Sequence, residues 1–396
     1  MRSEKMNRFD EDICSAISRA DGNYFPMSPD ITMTSSFHYE TYEEFLEVSL
    51  DEKNNYVYTR GTNPTTKILE DKLALLEDGE KCKVFASGMG AISATLFTLL
   101  QAGDHILMLN TIYGEAVAFA KYLEKFDITV DRVDIDKTSD LVEHIKENTK
   151  VIYFESPSTQ KFQLLDIEWI TNFAKKRGIK TVIDGTWSSP LFHKPLSHGV
   201  DIVIHSLSKY IGGHSDIVGG AVTGKKDLLD AIFEHGHQSL GATISPFNSW
   251  LAIRGLRTLP VRMNHLDQAI RIVLDALSKD SRINHIYHPY LSGVSQQELI
   301  QKYLSGFGSL FSIDMIDDDF EKLITFVNSL NIVSLGVSWG GFESLVLPAY
   351  KGNNLEKLAE RGLKTSHMRI YLGMENPQTI ISDIQQALDI AYGKDN

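Results

Sequence analysis

Between residues 104 and 206 the chain repeats one pattern, a short apolar run followed by an amphipathic stretch. The runs fall at 105–109, 128–133, 151–154, 181–183 and 202–204. Runs this short and this apolar read as strands buried on both faces, and strands separated by helical stretches cross over and return parallel. The pattern predicts an α/β unit: a mostly parallel sheet with helices on both faces. In such a sheet ligands bind beyond the carboxyl ends of the strands, so the residues that follow each run carry the functional reading.

Directly after the run at 202–204 comes the string HSLSKYIGGHSD, residues 205–216. Its lysine, Lys209, stands among hydroxyls and turn-forming glycines just beyond a buried strand. Such a setting lowers an ammonium pKa and frees the amine to attack a carbonyl, which is Schiff-base chemistry. Ser206 and Ser208 are close enough in sequence to donate hydrogen bonds to a phosphate, while Gly212 and Gly213 let the backbone turn without a Cβ clash. A loop lysine is ordinarily no more than exposed. Against that stands the run KTVIDGT at 180–186, a buried strand ending in Asp184. A carboxylate there can hold a pyridinium nitrogen protonated, the partner that a lysine-bound pyridoxal phosphate requires.

Two earlier strand ends fit the same chemistry. At 83–90 a strand runs into SGMG and then into an apolar helix, so the N–H groups of Gly88 and Met89 can face a phosphate at the helix N-terminus. Taken alone, those glycines also suit a helix packed closely on a strand. Tyr113, just past the strand that ends near Asn110, offers a face on which a pyridine ring can stack, or serves as a core aromatic at a helix start.

Beyond residue 260 the pattern changes. A long helix at 261–277 leads into strands at 310–313 and 332–335 and helices at 320–330 and 377–392, a smaller α+β unit. Within it Arg369 sits between apolar neighbours on a strand, where a planar guanidinium suits either an amino-acid carboxylate or a structural ion pair. At the other end, residues 1–60 are polar, carry Pro26 and Pro29, and include an acidic run at 41–52 that argues against one long element. An arm of this kind packs on a neighbouring copy, which favours an oligomer. After it Asn63 and Pro64 mark a helix start. The chain thus divides into an arm at 1–60 contacting the neighbouring subunit, a cofactor-binding α/β domain at 61–258, and a C-terminal domain at 259–396.

Composition narrows the function further. A net charge of −13 supplies no field for steering to nucleic acid or anionic lipid, and no window approaches the roughly 20 apolar residues of a membrane span. Cys14 and Cys82 fit neither a disulfide framework nor a zinc spacing, and the N-terminus lacks a signal-peptide core, so the expected compartment is the cytoplasm. No cysteine or carboxylate completes a metal set with His205, His214, His235 or His237, and no metal is expected.

The pairing of DGTW with HSLSKYIGGHSD resembles the Cys/Met metabolism (trans-sulfuration) family of pyridoxal-phosphate enzymes, and RGLRTL at 254–259 continues the likeness. The resemblance spans about residues 24 to 392 and implies a fold-type I, pyridoxal-phosphate-dependent transferase-like architecture. It assigns Lys209 to the cofactor Schiff base and Tyr113 to stacking and catalysis. Asp184, Thr186, Gly88, Met89, Ser206 and Ser208 become cofactor ligands. Through YTRGTNPT at 58–65, Tyr58 and Arg60 become ligands of the cofactor phosphate in a neighbouring subunit, which implies a homodimer with shared sites, assembled as a tetramer. Ser338, Trp339 and Arg369 become the substrate site, for a sulfur amino acid. SWGG at 338–341, the tryptophan of DGTW, and ESPSTQ at 155–160 without the asparagine that meets the ring hydroxyl all look like the β-lyases of the family; that contact then comes from Thr159 or is lost. Val337 stands where γ-type members place a glutamate, and Glu115 where methionine γ-lyases place a cysteine; YTRGTNPT is more typical of the γ-type enzymes. The expected activity is β-elimination of cystathionine or a related thioether amino acid to a thiol, pyruvate and ammonia. A γ-type trans-sulfuration enzyme is the alternative.

Overall fold

The computed structural model describes residues 27–394. The first part of the expected arm, including Cys14, lies outside the described residues. Seven strands form the larger sheet: β1 (Lys81–Phe85), β2 (His105–Leu109), β3 (Thr129–Val133), β4 (Thr149–Glu155), β5 (Lys180–Asp184), β6 (Ile202–Ser206) and β7 (Gly220–Gly224). Their order is β1-β7-β6-β5-β4-β2-β3. From β6 to β3 all neighbours are parallel, and β7 runs antiparallel to both β6 and β1. The reversal follows from the linker: residues 207–219 between β6 and β7 hold only a short irregular turn and no crossover helix, so the chain can only come back antiparallel.

Strand alternation sets the two cores. Ile106, Met108, Tyr153, Val182, Ile202 and Ile204 pack on one face, Leu107, Leu109, Ile152, Phe154, Ile183 and Val203 on the other, all fully buried. That explains why these strands read as continuous apolar runs.

Among the described residues two helices precede β1, and one follows it directly. Helix α1 (Tyr42–Ser49) forms within the acidic run, capped by the Thr41 side chain, and buries no residue. In α2 (Pro64–Leu76) the Asn63 side chain accepts from the Thr65 N–H at 3.0 Å and Pro64 fills the first turn. Helix α3 (Gly88–Leu99) starts directly after β1. The described part of the arm packs on its own chain: the Trp250 indole donates to the Pro29 carbonyl at 3.0 Å, and Arg257 donates to Ser28 Oγ at 2.9 Å.

A second sheet of five strands contains β8 (Ile283–Tyr287), β9 (Leu310–Met315), β10 (Ser334–Leu335), β11 (Leu345–Pro348) and β12 (Met368–Tyr371), in the order β10-β11-β12-β9-β8. The helices Leu259–Leu277 and Pro377–Tyr392 cover it through Leu266, Ile270, Val273, Ile380 and Ile384. The strand expected at 332–335 shrinks to Ser334–Leu335 for a local reason. The N–H groups of Asn331, Ile332 and Val333 donate instead to the Asp383 carboxylate on the last helix, at 2.8 to 2.9 Å. Among the described residues no helix is long and apolar enough to cross a membrane.

Candidate active site

Lys209 lies in the irregular turn after β6, where its φ of −95° and ψ of −131° break the helical path. The turn is fixed from behind by Arg262, whose guanidinium donates to the carbonyls of Tyr210 at 2.7 Å and Gly255 at 2.9 Å. Gly213, at φ +70°, leaves no room for a side chain, since a Cβ there would lie 2.1 Å from that guanidinium. So held, Lys209 donates from Nζ to Ser338 Oγ and lies 5.5 Å from the centre of the Trp339 ring. Burial and the nearby Arg369 push its ammonium down to about 8, against a smaller opposing pull from Asp184.

Asp184 ends β5 and faces Glu155 at the end of β4 across the parallel pair. The Thr186 N–H and hydroxyl both donate to Asp184 Oδ1, leaving Oδ2 without a partner among the described residues. Burial raises the Asp184 carboxyl, while Thr186, His205 and Lys209 pull it back down. His205 lies behind it, paired with buried Glu77, its ring 3.0 Å from the place a Cβ on Gly185 would take. Glu155 accepts the Tyr113 N–H at 2.7 Å. Burial and the adjacent Asp184 together push its carboxyl well above the usual carboxylate range, so of the two Glu155 is the one that keeps its proton.

The loop into α3 forms a small concave surface. The Ser87 side chain caps α3 by accepting from Gly90 N–H at 2.9 Å, and the first backbone bond of the helix is made by Ala91. The N–H groups of Gly88 and Met89 therefore have no protein partner among the described residues, at the positive end of a twelve-residue helix. A Cβ on Gly88 would sit 3.5 Å from Ser206 Oγ, and one on Gly220 would sit 2.3 Å from the Ser87 carbonyl. Bare backbone is what lets these three segments meet. Ser208 is partly used already, accepting the Gly219 N–H at 3.1 Å.

From the second sheet, Arg369 on β12 points toward the same ends. Burial lowers its pKa, and Glu155 and Tyr113 act on it electrostatically without an ion pair forming. Ser338 and Trp339 arrive on the loop between β10 and β11. Ser338 has φ +82° and Gly340 φ +91°. Gly340 is seated on the lysine itself, because a Cβ there would lie 2.7 Å from Lys209 Cα. Trp339 meets the Tyr210 ring edge-on at 5.3 Å. Tyr113, at the start of the helix Gly114–Tyr122, is 47% exposed and feels both Asp184 and Arg369.

Most of the sequence-expected residues thus converge in one chain. Tyr58 and Arg60 do not join them: Arg60 lies over the exposed Tyr58 ring at 5.4 Å and donates to Gln238 at 3.1 Å. Thr159 sits in a turn, its N–H donating to the Thr111 carbonyl at 2.9 Å. Glu155 was not foreseen as a site residue, although an acidic residue closing the run VIYFE carries the same signal that picked out Asp184 after VID. Glu77 had no signal, since its partner lies far along the chain.

Residues 13–389 match the family model described as "Cys/Met metabolism PLP-dependent enzyme". The chain is 35% identical to an L-methionine gamma-lyase of Fusobacterium nucleatum subsp. nucleatum over 373 residues, 92% of this chain and 94% of that one. It is also 35% identical to a cystathionine beta-lyase of Lactococcus lactis subsp. cremoris over 350 residues, 87% and 91% of the two chains. A solved cystathionine gamma synthase from Xanthomonas oryzae pv. oryzae superposes with a TM-score of 0.89 at 30% identity, covering 97% of this chain and 98% of that one. The mostly parallel sheet with its smaller companion is accordingly the fold-type I architecture. A pyridoxal-phosphate-dependent enzyme, the chain belongs to the Cys/Met metabolism family.

Proposed function

We propose that this chain is a carbon–sulfur lyase that performs β-elimination on cystathionine or a related thioether amino acid and, with uptake of one water, releases a thiol, pyruvate and ammonia. The groups left without protein partners fit pyridoxal phosphate. Gly88 and Met89 N–H, with Ser206 and Ser208, would hold the phosphate; Asp184 Oδ2 would keep the ring nitrogen protonated, and Thr186 orients that carboxylate. Tyr113 would stack on the ring. When bound, the cofactor supplies an electron sink for charge developing at the substrate Cα. Arg369 binds the α-carboxylate with a guanidinium that has no competing ion pair among the described residues. Lys209, its pKa lowered to about 8, takes the Cα proton, and Ser338 and Trp339 fix the direction from which it does so.

The observation that favours β- over γ-elimination is Val337. It stands immediately before Ser338 and is 76% exposed, so a pose that places the distal amine of cystathionine there meets an isopropyl group and no carboxylate. The likeness to methionine gamma-lyase and the string YTRGTNPT keep γ-elimination as the second reading. Incubation with L-cystathionine and assay of the keto acids separates them: pyruvate with homocysteine is expected, and a predominance of 2-oxobutanoate overturns the β assignment. Tyr58 and Arg60, set apart from the other groups, would complete the phosphate site of a neighbouring subunit in a homo-oligomer. Mixing Arg60→Ala with Lys209→Ala protein under subunit exchange should then restore activity, because one of the two shared sites becomes intact.

A further inference from the structure

Asp184, Gly185 and Thr186 are stitched to residues 204–206 at the end of β6. The Gly185 N–H donates to the Ile204 carbonyl at 2.9 Å, and the Ser206 N–H donates to Thr186 Oγ1 at 2.9 Å, while that hydroxyl donates on to Asp184 Oδ1. His205 sits between the two links. A Cβ on Gly185 would stand 3.0 Å from its Cε1 and 3.4 Å from its Nε2, so the missing side chain at 185 is what lets the imidazole lie against the turn that carries Asp184. The same Nε2 meets Glu77 Oε1, and both side chains are almost wholly buried.

Glu77 is the residue that needs explaining. It caps the C-terminus of α2, where the helix dipole disfavours an anion, and it is fully buried, where desolvation disfavours one again. Its Oε2 has no partner among the described residues. The imidazole is the charged partner that can offset both costs. His193 and Cys82 also feel the pair, and neither supplies a charge: burial pushes the His193 imidazole down to about 3 and the Cys82 thiol up. On the other side of His205 stands Asp184, whose carboxyl burial raises; the Thr186 hydrogen bonds lower it, followed by His205 and then Lys209. As the base proposed above, Lys209 is a neutral amine until it takes its proton, so its pull on Asp184 is absent at that moment. The pull of His205 remains.

We propose that Glu77 and His205 are positioning residues for the partner of the ring nitrogen: Glu77 holds His205 as an imidazolium against Gly185, and that charge keeps Asp184 an anion. The inference rests on the cofactor assignment and does not depend on whether β- or γ-elimination follows. Charges then alternate from the end of α2 to the cofactor, with Glu77 negative, His205 positive, Asp184 negative and the ring nitrogen positive.

The test reads the ring nitrogen directly. Holoenzyme reconstituted with pyridoxal phosphate carrying nitrogen-15 in the ring should show the pyridinium resonance at neutral pH. In His205→Gln and in Glu77→Gln, which keep the polarity and remove the charge, that resonance should move toward the unprotonated position. In both, kcat should fall about tenfold, the equivalent of one pKa unit at Asp184, with KM changed less than about twofold. Glu77→Asp keeps the anion and should recover part of both. The double variant should lose no more than either single one, because the two residues act as a unit; additive losses overturn the pairing. A loss of activity with the resonance unmoved would mean that the pair only supports the fold, and an unchanged enzyme would mean that Asp184 needs no such charge. Either result overturns the proposal. Neutron diffraction from wild-type holoenzyme at neutral pH requires no variant to fold: deuterons on both ring nitrogens of His205 and none on Glu77 are expected, and a deuteron on Glu77 or a singly deuterated ring overturns the proposal.

Discussion

The two sheets contribute to the site in different ways. The larger one offers Asp184 and Glu155 from the ends of strands with a neighbour on each side, and the N–H groups of Gly88 and Met89 from the first turn of α3. The smaller one offers Arg369 from a strand but Ser338 and Trp339 from a loop that runs through two left-handed residues, Ser338 and Gly340. A non-glycine residue at positive φ costs on the order of 1 kcal/mol or more, and surrounding contacts must hold it there. In the reading proposed above, the cofactor side is thus held by strand topology, whereas the substrate side is held by contacts with what it serves. Changes in the first should alter whether chemistry occurs, and changes in the second which molecule it occurs on.

The largest effect should come from Lys209→Ala. Loss of the positioned base should lower kcat by roughly 10³-fold or more. Borohydride reduction of wild-type holoenzyme should place the pyridoxyl group on Lys209 in a peptide map, and labelling elsewhere would remove the residue from its role. Next is Arg369→Ala, expected to reduce kcat/KM about 10²-fold by leaving the α-carboxylate without its partner.

Arg369→Ala also carries a pH signature. Arg369 holds the Lys209 ammonium down, so cofactor capture by the apoprotein, which needs the free amine, should rise with pH with a midpoint near 8 in the wild type. Removing Arg369 should move that midpoint upward and leave less free amine at neutral pH. A downward or absent shift, followed as borohydride-trapped pyridoxyl against pH, would separate Arg369 from the lysine.

A smaller effect is expected from Val337→Glu, a change on the loop side alone. The ratio of 2-oxobutanoate to pyruvate from L-cystathionine should rise severalfold, with the cofactor spectrum unchanged. An altered spectrum would mean that the loop reaches the cofactor and that the division between the two sides is too sharp. Smallest of all is Glu155→Gln. Because burial and Asp184 hold the Glu155 carboxyl well above the usual carboxylate range, the amide replaces a group that favours its neutral form, and kcat should change less than about threefold. A large loss would show that Glu155 works as an anion.

The positions of β2, β4, β5 and β6 were legible because these strands are covered on both faces and so appear as nearly unbroken apolar runs. Asp184 and Lys209 could be read because they follow such runs directly. The β10 strand was overestimated, since nothing local shows that Asp383, on the last helix, takes the N–H groups a ladder would have used. The short helix α1 within the acidic arm escaped for another reason: its apolar residues Tyr42, Phe45 and Leu46 stand among acidic ones and none of them is buried.

The seat of Gly340 on Lys209 sets a limit for anyone redesigning the specificity of this protein. A side chain there would press on three atoms of the lysine within 2.9 Å, two of them backbone. Libraries aimed at new substrates should leave that position fixed and vary Val337 and Phe342, whose side chains are open at 76% and 56% exposure. Diversity placed on either side of the glycine would explore recognition, and diversity placed on it would mostly sample inactive protein.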